Sequence, residues 1–465
     1  VAPRKFLIRT FGCQMNEHDS ERLAGLLVAD GLEPTDDLED ADVVVLNTCC
    51  IRENADNRLY GHLGHLKSVV QRRPGMQIAV GGCLAQKERD AIRARAGHVD
   101  VVFGTHNLTR APALLRRAAT DGPVVEVLDA PAAGDDANDA ALGAVRELSY
   151  AAWVTIQTGC DNSCAFCIVP QVRGREVSRP LDDLVAEVAM LAGRGTTEVT
   201  LLGQNVNSYG RDLTRRRPLF STLLRAVGDV DGIRRVRYTS PHPKDLRPET
   251  VAAMAETPAV CAHLHLPLQS GSDAVLATMR RGYTAQRYLE RLAMARAGVD
   301  DLAVTTDIIV GFPGETDDDF ARTLEVAAAA EFDSAYTFVF SPRPGTRAAA
   351  MVDAFVPDHV VAERFERLRV VVERTALAKH QARVGRLEEV VVEGPSKRDP
   401  SLVTGRTGQN KLVHFTAPSD GAPVEGTYAS VRVTGAAPHH LRGEWVEVLE
   451  PARRRRRIPV AASPG

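Results

Sequence analysis

The chain lacks several features that would settle its class at once. It has no long hydrophobic run. Its apolar stretches are short and strand-like, so no membrane-spanning helix is expected. The opening residues, Val-Ala-Pro-Arg-Lys-Phe-Leu-Ile-Arg, hold no apolar core of a signal peptide and no cleavage site, so a cytoplasmic protein is expected. Charge of one sign is missing too: 57 Lys and Arg against 60 Asp and Glu leave a net charge of -3, so any surface for nucleic acid must be local. There is no internal repeat. Eight cysteines in a chain of 465 residues expected in the cytoplasm argue against a disulfide framework, and those that cluster are read as metal-binding or catalytic. The 44% apolar and 25% charged content is that of a globular protein long enough for two or three cored domains.

Three regions separate along the chain. In residues 1–125, short apolar runs (KFLIRTFGC, DVVVLNTCC, MQIAVGGC, VDVVFGTHN) alternate with helical patterns, such as those near Glu17 to Asp30 and Glu53 to Gln71. That pattern predicts an α/β domain with a parallel sheet covered on both faces. Residues 126–146, rich in Ala, Asp and Gly, read as a flexible linker. Residues 147–377 alternate again, with strands expected at WVTIQ, EVTLLG, RVRYTS, AHLHLP, AVTTDIIVGF and SAYTFVF. Six strand–helix units suggest a partial (βα)6 barrel related to the eight-stranded form, with an open doubly wound sheet as the competing arrangement. Residues 380–450 switch to short strands between Gly, Pro and Asp turns, a small all-β barrel or sandwich. Residues 451–465 carry five consecutive arginines in a tail expected to be disordered.

The sharpest chemical signal is TGCDNSCAFCIVP. Cys160, Cys164 and Cys167 follow the strand WVTIQ on one loop, close enough to deliver three thiolates to one small cluster. Three ligands on a four-iron cluster leave one iron open to the amino and carboxylate groups of S-adenosylmethionine, whose C–S bond a cluster electron can break. A structural zinc site or buried cysteines are the plainer readings, but closed zinc sites take four ligands. In the first region, Cys13, the Cys49-Cys50 pair and Cys83 each stand at the C-terminal end of an expected strand. In a parallel sheet these ends share the ligand-binding edge, so residues far apart in sequence converge. Topology alone does not choose between Cys49 and Cys50, and a buried thiol in an apolar core is the plainer reading of any one of them.

With Phe166 before the third cysteine, TGCDNSCAFC resembles the radical S-adenosylmethionine superfamily. LLGQNVNSYG, TSPHP, LPLQSGSD, TTDIIVGFPGET and FSPRPGT resemble its methylthiotransferase branch. FGCQMNEHDSE, NTCCIRENA and AVGGCLAQ resemble that branch's amino-terminal domain, and more narrowly the group acting on dimethylallyladenosine in tRNA. The resemblance implies two [4Fe-4S] clusters, each with three cysteine ligands: Cys13, Cys49 and Cys83 for one, and Cys160, Cys164 and Cys167 for the S-adenosylmethionine-bound other. It selects Cys49 over Cys50. Residues 388 to 450 resemble the TRAM module, an RNA-binding β-barrel.

Weaker signals take their meaning from that resemblance. Gly203, Gln204 and Asn205 at one strand end, and Gly311 and Pro313 in GFPGE at another, resemble the family's S-adenosylmethionine contacts, although either motif also serves as an ordinary βα turn. The arginines of RGREVSR (173–179) suit phosphate binding or plain solvation. Lys397, Arg398, Arg406 and Lys411 fall on strand ends and turns of the small barrel and are the expected RNA contacts. His263 and His265 alternate on one strand and are expected to line the barrel. His62 and His65 read as helix-surface residues and Cys261 as a packed thiol.

The resemblance thus implies an enzyme that methylthiolates carbon 2 of N6-dimethylallyladenosine 37 beside the tRNA anticodon. One S-adenosylmethionine would generate a 5′-deoxyadenosyl radical, and another would supply the methyl group. A sulfur donor and a flavodoxin- or ferredoxin-type electron donor are implied as partners, no membrane, and a monomer. The alternatives are a methylthiotransferase for threonylcarbamoyladenosine tRNA or a ribosomal-protein aspartate, and a non-catalytic iron–sulfur RNA-binding or sensing module.

Overall fold

The computed structural model describes residues 3–50, 53–130, 146, 148–214, 217–418 and 421–453. Most of the expected linker (131–145), residue 147 and the arginine tail from 454 lie outside the described residues. The chain divides into two compact units. One comprises Val1–Glu147, Gln157–Val177 and Arg343–Thr346; the other comprises Leu148–Ile156, Ser178–Pro342 and Arg347–Gly465.

The chain opens with β1 (Lys5–Phe11), α1 (Gln14–Ala29), β2 (Glu33–Pro34), β3 (Val43–Thr48), α2 (Glu53–Arg72), β4 (Gln77–Gly82), α3 (Cys83–Glu88), α4 (Asp90–Arg95), β5 (Val101–Phe103), α5 (Ala111–Asp121) and β6 (Val124–Glu126). All six strands are parallel, in the order β2-β1-β3-β4-β5-β6. Alternation sends Val44, Leu46, Ile78 and Val80 to one face, against Leu59, Leu63 and Leu66 of α2. It sends Val43, Val45, Ala79 and Val101 to the other, against Leu23 and Leu27 of α1 and Leu114 of α5. Two-sided burial explains why these strands read as unbroken apolar runs. Since β3 lies between β1 and β4, the loops after these three strands are neighbours on one sheet edge.

The next elements are β7 (Ala151–Thr155), β8 (Gln157–Thr158), α6 (Val169–Arg173), β9 (Val177–Ser178), α7 (Leu181–Gly193), β10 (Glu198–Leu202), α8 (Arg211–Thr214), α9 (Phe220–Gly228), β11 (Arg235–Tyr238), α10 (Pro248–Glu256), β12 (His263–His265), α11 (Asp273–Thr278), α12 (Ala285–Gly298), β13 (Ala303–Val310), α13 (Asp317–Ala330) and β14 (Ser334–Val339). In the second unit, β11-β10-β7 and β12-β13-β14 form two parallel sheets, and a parallel bridge from Val236 to Val260 links β11 to the chain entering β12. The spatial order of the strands follows the chain without reversal. This is a partial barrel, not a doubly wound sheet.

After α14 (Asp358–Gln381), strands β15 (Leu387–Pro395), β16 (Leu402–Thr407), β17 (Leu412–Thr416), β18 (Tyr428–Ala436) and β19 (Leu441–Glu450) close a barrel in the order β15-β16-β17-β19-β18 around Val390, Val413, Phe415 and Val431. It docks on the strand starts of the partial barrel, within the second unit. Arg237 donates to the carbonyls of Thr407 (2.8 Å) and Gly408 (3.0 Å), and Arg235 to that of Arg406 (2.8 Å). Lys411 is buried with its Nζ 2.6 Å from Asp333 Oδ1. Its ammonium is therefore withdrawn from solvent, which removes Lys411 from the expected RNA contacts. Breaking a buried pair from one side strands a charge. Lys411→Met is expected to cost about 3–5 kcal/mol in urea unfolding, and Lys411→Met with Asp333→Asn to recover most of that loss.

Candidate metal centres and the barrel's inner face

The first cysteine set is built from hydrogen-bonded loop ends. Cys13 caps α1, and its backbone N–H donates to Asn16 Oδ1 (3.3 Å). Asn16 Nδ2 donates to the Thr48 carbonyl (3.2 Å), and Asn47 Nδ2 to the Asn16 carbonyl (2.8 Å). Thr48 Oγ1 donates to the Gly81 carbonyl (2.6 Å). The ends of β1, β3 and β4 are thereby laced together. Gly82 permits this: its φ is +91°, and a Cβ there would meet Asn47 Oδ1 at 2.4 Å and the Thr48 carbonyl at 2.5 Å.

Cys13, Cys49, Cys50 and Cys83 meet at this edge as two thiol pairs. Cys13 is paired with Cys49, a contact that pulls its pKa down to about 6 with help from the Arg173 guanidinium. Cys83 is paired with Cys50 and falls to about 7, again aided by Arg173. Cys50 moves upward, through its bond to Cys83 and then through burial. Arg173 is buried, and its Nη2 donates to Asp19 Oδ2 at 2.7 Å. Burial opposes its charge, but Cys83, Asp19 and Cys13 outweigh that and keep it protonated. A cation beside thiols favours thiolates, the form that binds iron. Among the described residues, no three His, Cys, Asp or Glu side chains stand in the arrangement of a metal site. The donor set and its charge environment nevertheless suit a thiolate-bound cluster.

The second cysteine set lies in the same unit. Gly159, at φ +72°, starts the loop; a Cβ there would fall 2.0 Å from the Arg175 carbonyl. Cys160 N–H donates to the Gly174 carbonyl (3.2 Å), Cys167 N–H to the Cys164 carbonyl (3.2 Å), and Asn162 N–H to Cys160 Sγ (3.5 Å). The loop is thus closed on itself, with an N–H already aimed at one sulfur, the kind of contact that tunes iron–sulfur clusters. α6 follows at once. It puts Ile168 and Val172 into the apolar cluster that holds Cys83 and Leu84, and Thr105 Oγ1 donates to the Val172 carbonyl (2.6 Å). Of the RGREVSR arginines, Arg173 turns inward, and Arg179 bonds the Thr155 carbonyl (3.0 Å) and Glu187 (2.7 Å). Arg175 stays exposed beside Asp161.

In the second unit, β12, β13 and β14 turn alternate residues to the barrel's inner face. Val304, Ile308 and Val310 pack outward with Phe320 and Leu368, while Thr305, Asp307 and Ile309 face inward beside Ser334, Tyr336 and Phe338. His263 Nε2 and His265 Nδ1 lie 3.1 and 3.0 Å from Thr305 Oγ1, and His265 Nε2 lies 3.4 Å from Asp307 Oδ2. Burial and then Arg237 hold the His263 pKa well below the ordinary value, so His263 is neutral. One proton arrangement satisfies both bonds: His263 Nε2–H donates to Thr305 Oγ1, and Thr305 O–H donates to His265 Nδ1.

The other expected site residues are placed as follows. Gly203 is buried and Gln204 half-buried just beyond β10. Asn205 is buried, its Nδ2 bonded to Asp245 Oδ2 at 2.9 Å. Gly311 has φ +74° and passes so close to α14 that a Cβ would meet Val361 Cγ2 at 2.5 Å; Pro313 is buried beside it. Lys397 and Arg398 are exposed, whereas Arg406 is paired with Glu393. Arg398 acts electrostatically on His414 and His440, whose rings meet edge to face, and Arg442 acts on His440. Cys261 is buried, His62 rests on Phe11, and His65 is exposed. Sequence reasoning missed Asn16, Asp19 and the inward turn of Arg173. Only the Asn three residues after Cys13, at a helix start, signalled any of them.

Residues 5–104 match the model of the "Uncharacterized protein family UPF0004", and residues 154–327 that of the "Radical SAM superfamily". A tRNA-2-methylthio-N(6)-dimethylallyladenosine synthase of Acidothermus cellulolyticus is 54% identical over 448 residues, which cover 96% of this chain and 88% of the relative. Proteins of the same name from Streptomyces viridosporus and Salinispora arenicola are each 53% identical, covering 95% of this chain and 87% and 88% of theirs. The chain belongs to the tRNA-2-methylthio-N(6)-dimethylallyladenosine synthase family. As a member of that family it is a radical S-adenosylmethionine enzyme, and the superfamily implies a [4Fe-4S] cluster and S-adenosylmethionine as cofactors. Among solved structures, the radical S-adenosylmethionine methyltransferase TsrM of Kitasatospora setae shares the fold, with a TM-score of 0.53 at 13% identity over 74% of this chain and 75% of that one. No helix among the described residues is long and apolar enough to cross a membrane.

Proposed function

We propose that this enzyme replaces the carbon 2 hydrogen of N6-dimethylallyladenosine in tRNA with a methylthio group. The observation that carries the reading is the 54% identity over 96% of the chain to a relative named for that product. The chemistry suits the cofactor. An aromatic C–H between two ring nitrogens offers neither an acidic proton nor a leaving group, so a radical route is required. Bound clusters with S-adenosylmethionine would supply electrons for C–S cleavage, and sulfur for the product.

The chain's own residues have separable tasks in this reading. Cys160, Cys164 and Cys167 hold the cluster that binds S-adenosylmethionine, with the Asn162 N–H on Cys160 damping charge at the sulfur. Cys13, Cys49 and Cys83 hold a second cluster, and Arg173 offsets its thiolates. Gly203, Gln204 and Pro313 serve the cofactor, while Asn205 and Gly311 act through the packing described above. The small barrel, a TRAM-like module, holds tRNA phosphates through Lys397 and Arg398, with Arg442 beside them; Arg406 is a weaker candidate because Glu393 neutralises it.

The test is an anaerobic assay of reconstituted protein with S-adenosylmethionine, reductant and tRNA bearing dimethylallyladenosine, followed by nucleoside analysis. The expected product is the 2-methylthio nucleoside. Conversion of threonylcarbamoyladenosine tRNA or of a ribosomal protein, with the dimethylallyl tRNA untouched, would overturn the reading.

A further inference from the structure

Outside the strands of the partial barrel, the second unit gathers cations where two helices begin. Arg247 is exposed and stands directly before α10, and Arg287 is exposed in the first turn of α12. The two helices pack side by side. Each leads back to the start of the next strand, so both begin at the strand-end rim. Arg291, one turn further along α12, donates to the Pro243 carbonyl and ties α12 to the loop after β11. That loop adds Lys244, which like Arg291 is half-buried. The Arg291 pKa lies below its ordinary value, through burial first and then through Arg287 and Arg247, against the pull of Asp245. Arg281, Lys244 and Arg291 likewise add to burial in keeping His242 neutral. These cations are close enough to repel one another. Asp245 cannot offset them all, because it is buried and already holds Arg211 Nη2 (2.7 Å) and Asn205 Nδ2 (2.9 Å).

A chain whose net charge is -3 thus holds a local surplus of positive charge. Crowded like charges cost stability until an anion binds among them. The helix starts add to the attraction, since each presents N–H groups and the positive end of a dipole. Arginine forks and helix starts are both recurrent contacts for nucleic-acid phosphates. We propose that Lys244, Arg247, Arg287 and Arg291 form a second RNA-phosphate surface, separate from the small β-barrel. Arg247 and Arg287 make the direct contacts, and Arg291 is a positioning residue fixed by the Pro243 carbonyl. The small β-barrel docks on the strand starts, so the two surfaces lie at opposite ends of the partial barrel, and one RNA must span it to engage both. The inference rests on the proposed tRNA substrate and adds the surface that grips its backbone. Phosphate contacts carry no sequence information, so this surface sets affinity and orientation and leaves the choice of base to other residues.

The test uses the full chain, anaerobically reconstituted, and a labelled anticodon stem-loop carrying dimethylallyladenosine. Fluorescence anisotropy gives the affinity at several salt concentrations, with iron content and thermal midpoint as folding controls. Arg247→Gln with Arg287→Gln is expected to weaken binding about tenfold or more at low salt. The slope of log affinity against log salt should shrink by about two, one for each lost phosphate contact. Arg247→Lys with Arg287→Lys keeps both charges and should keep the wild-type slope. Arg374, exposed on α14, is the control for net charge, and Arg374→Gln should leave the slope unchanged. A wild-type slope in the double Gln variant, or an equal fall in Arg374→Gln, would overturn the surface. Failure of the wild type to methylthiolate the same stem-loop would instead sink the reading of the substrate. The salt slope is read without turnover, so the two failures are distinguishable.

Discussion

Replacing Arg173 with Gln is expected to destabilise the protein by about 3–5 kcal/mol and to loosen the first cluster. The size follows from what is stranded. Asp19 is buried and holds Arg173 Nη2 at 2.7 Å. Without the guanidinium its carboxylate stays buried, and among the described residues Arg22, 3.8 Å away and partly exposed, is the remaining ion-pair partner. Removing one partner of a buried pair costs about 3–5 kcal/mol, far more than the pair's net worth. The same substitution takes a buried cation away from Cys13 and Cys83, whose thiols it helps to ionise. Urea unfolding of the apo-protein reads the first effect. The rate at which a chelator strips iron from the reconstituted protein reads the second. Arg173→Lys keeps the charge but not the planar fork, so it should fall between wild type and Gln. Wild-type stability and wild-type iron retention in Arg173→Gln would mean that the arginine is only a spacer.

The second large effect separates the two cysteine sets. Replacing Cys160, Cys164 and Cys167 together with Ala is expected to abolish 5′-deoxyadenosine formation. Replacing Cys13, Cys49 and Cys83 together is expected to leave 5′-deoxyadenosine formation measurable while the methylthio product disappears. Within the first set, Cys49 and Cys50 behave differently. Cys49 lies with Cys13, and Cys50 with Cys83, both inside the ring of laced strand ends. Cys49→Ala alone should therefore lose only part of the first cluster's iron, because Cys50 is near enough to substitute. The Cys49→Ala/Cys50→Ala pair should lose all of it. Equal iron in the single and double variants would exclude that rescue.

Those expectations mark how far the sequence could be read. The parallel sheet was legible because β3 and β4 are buried on both faces and so appear as unbroken apolar runs. The convergence of Cys13, Cys49 and Cys83 was legible because parallel strands put their C-terminal ends on one edge. The partial barrel against the open sheet was not decided by spacing, since both alternate strand and helix. The bridge between Val236 and Val260, formed only in three dimensions, decides it. Long-range charge pairs were hidden for a similar reason. Lys411 and Arg173 look like surface cations in sequence, and their partners Asp333 and Asp19 lie 78 and 154 residues away.

Iron and acid-labile sulfide in the anaerobically reconstituted wild-type chain test the two-cluster account most directly. The account predicts about eight irons and about eight sulfides per chain, falling to about four of each when either set of three cysteines is replaced. About four irons in the wild type, unchanged by loss of Cys13, Cys49 and Cys83, would contradict it.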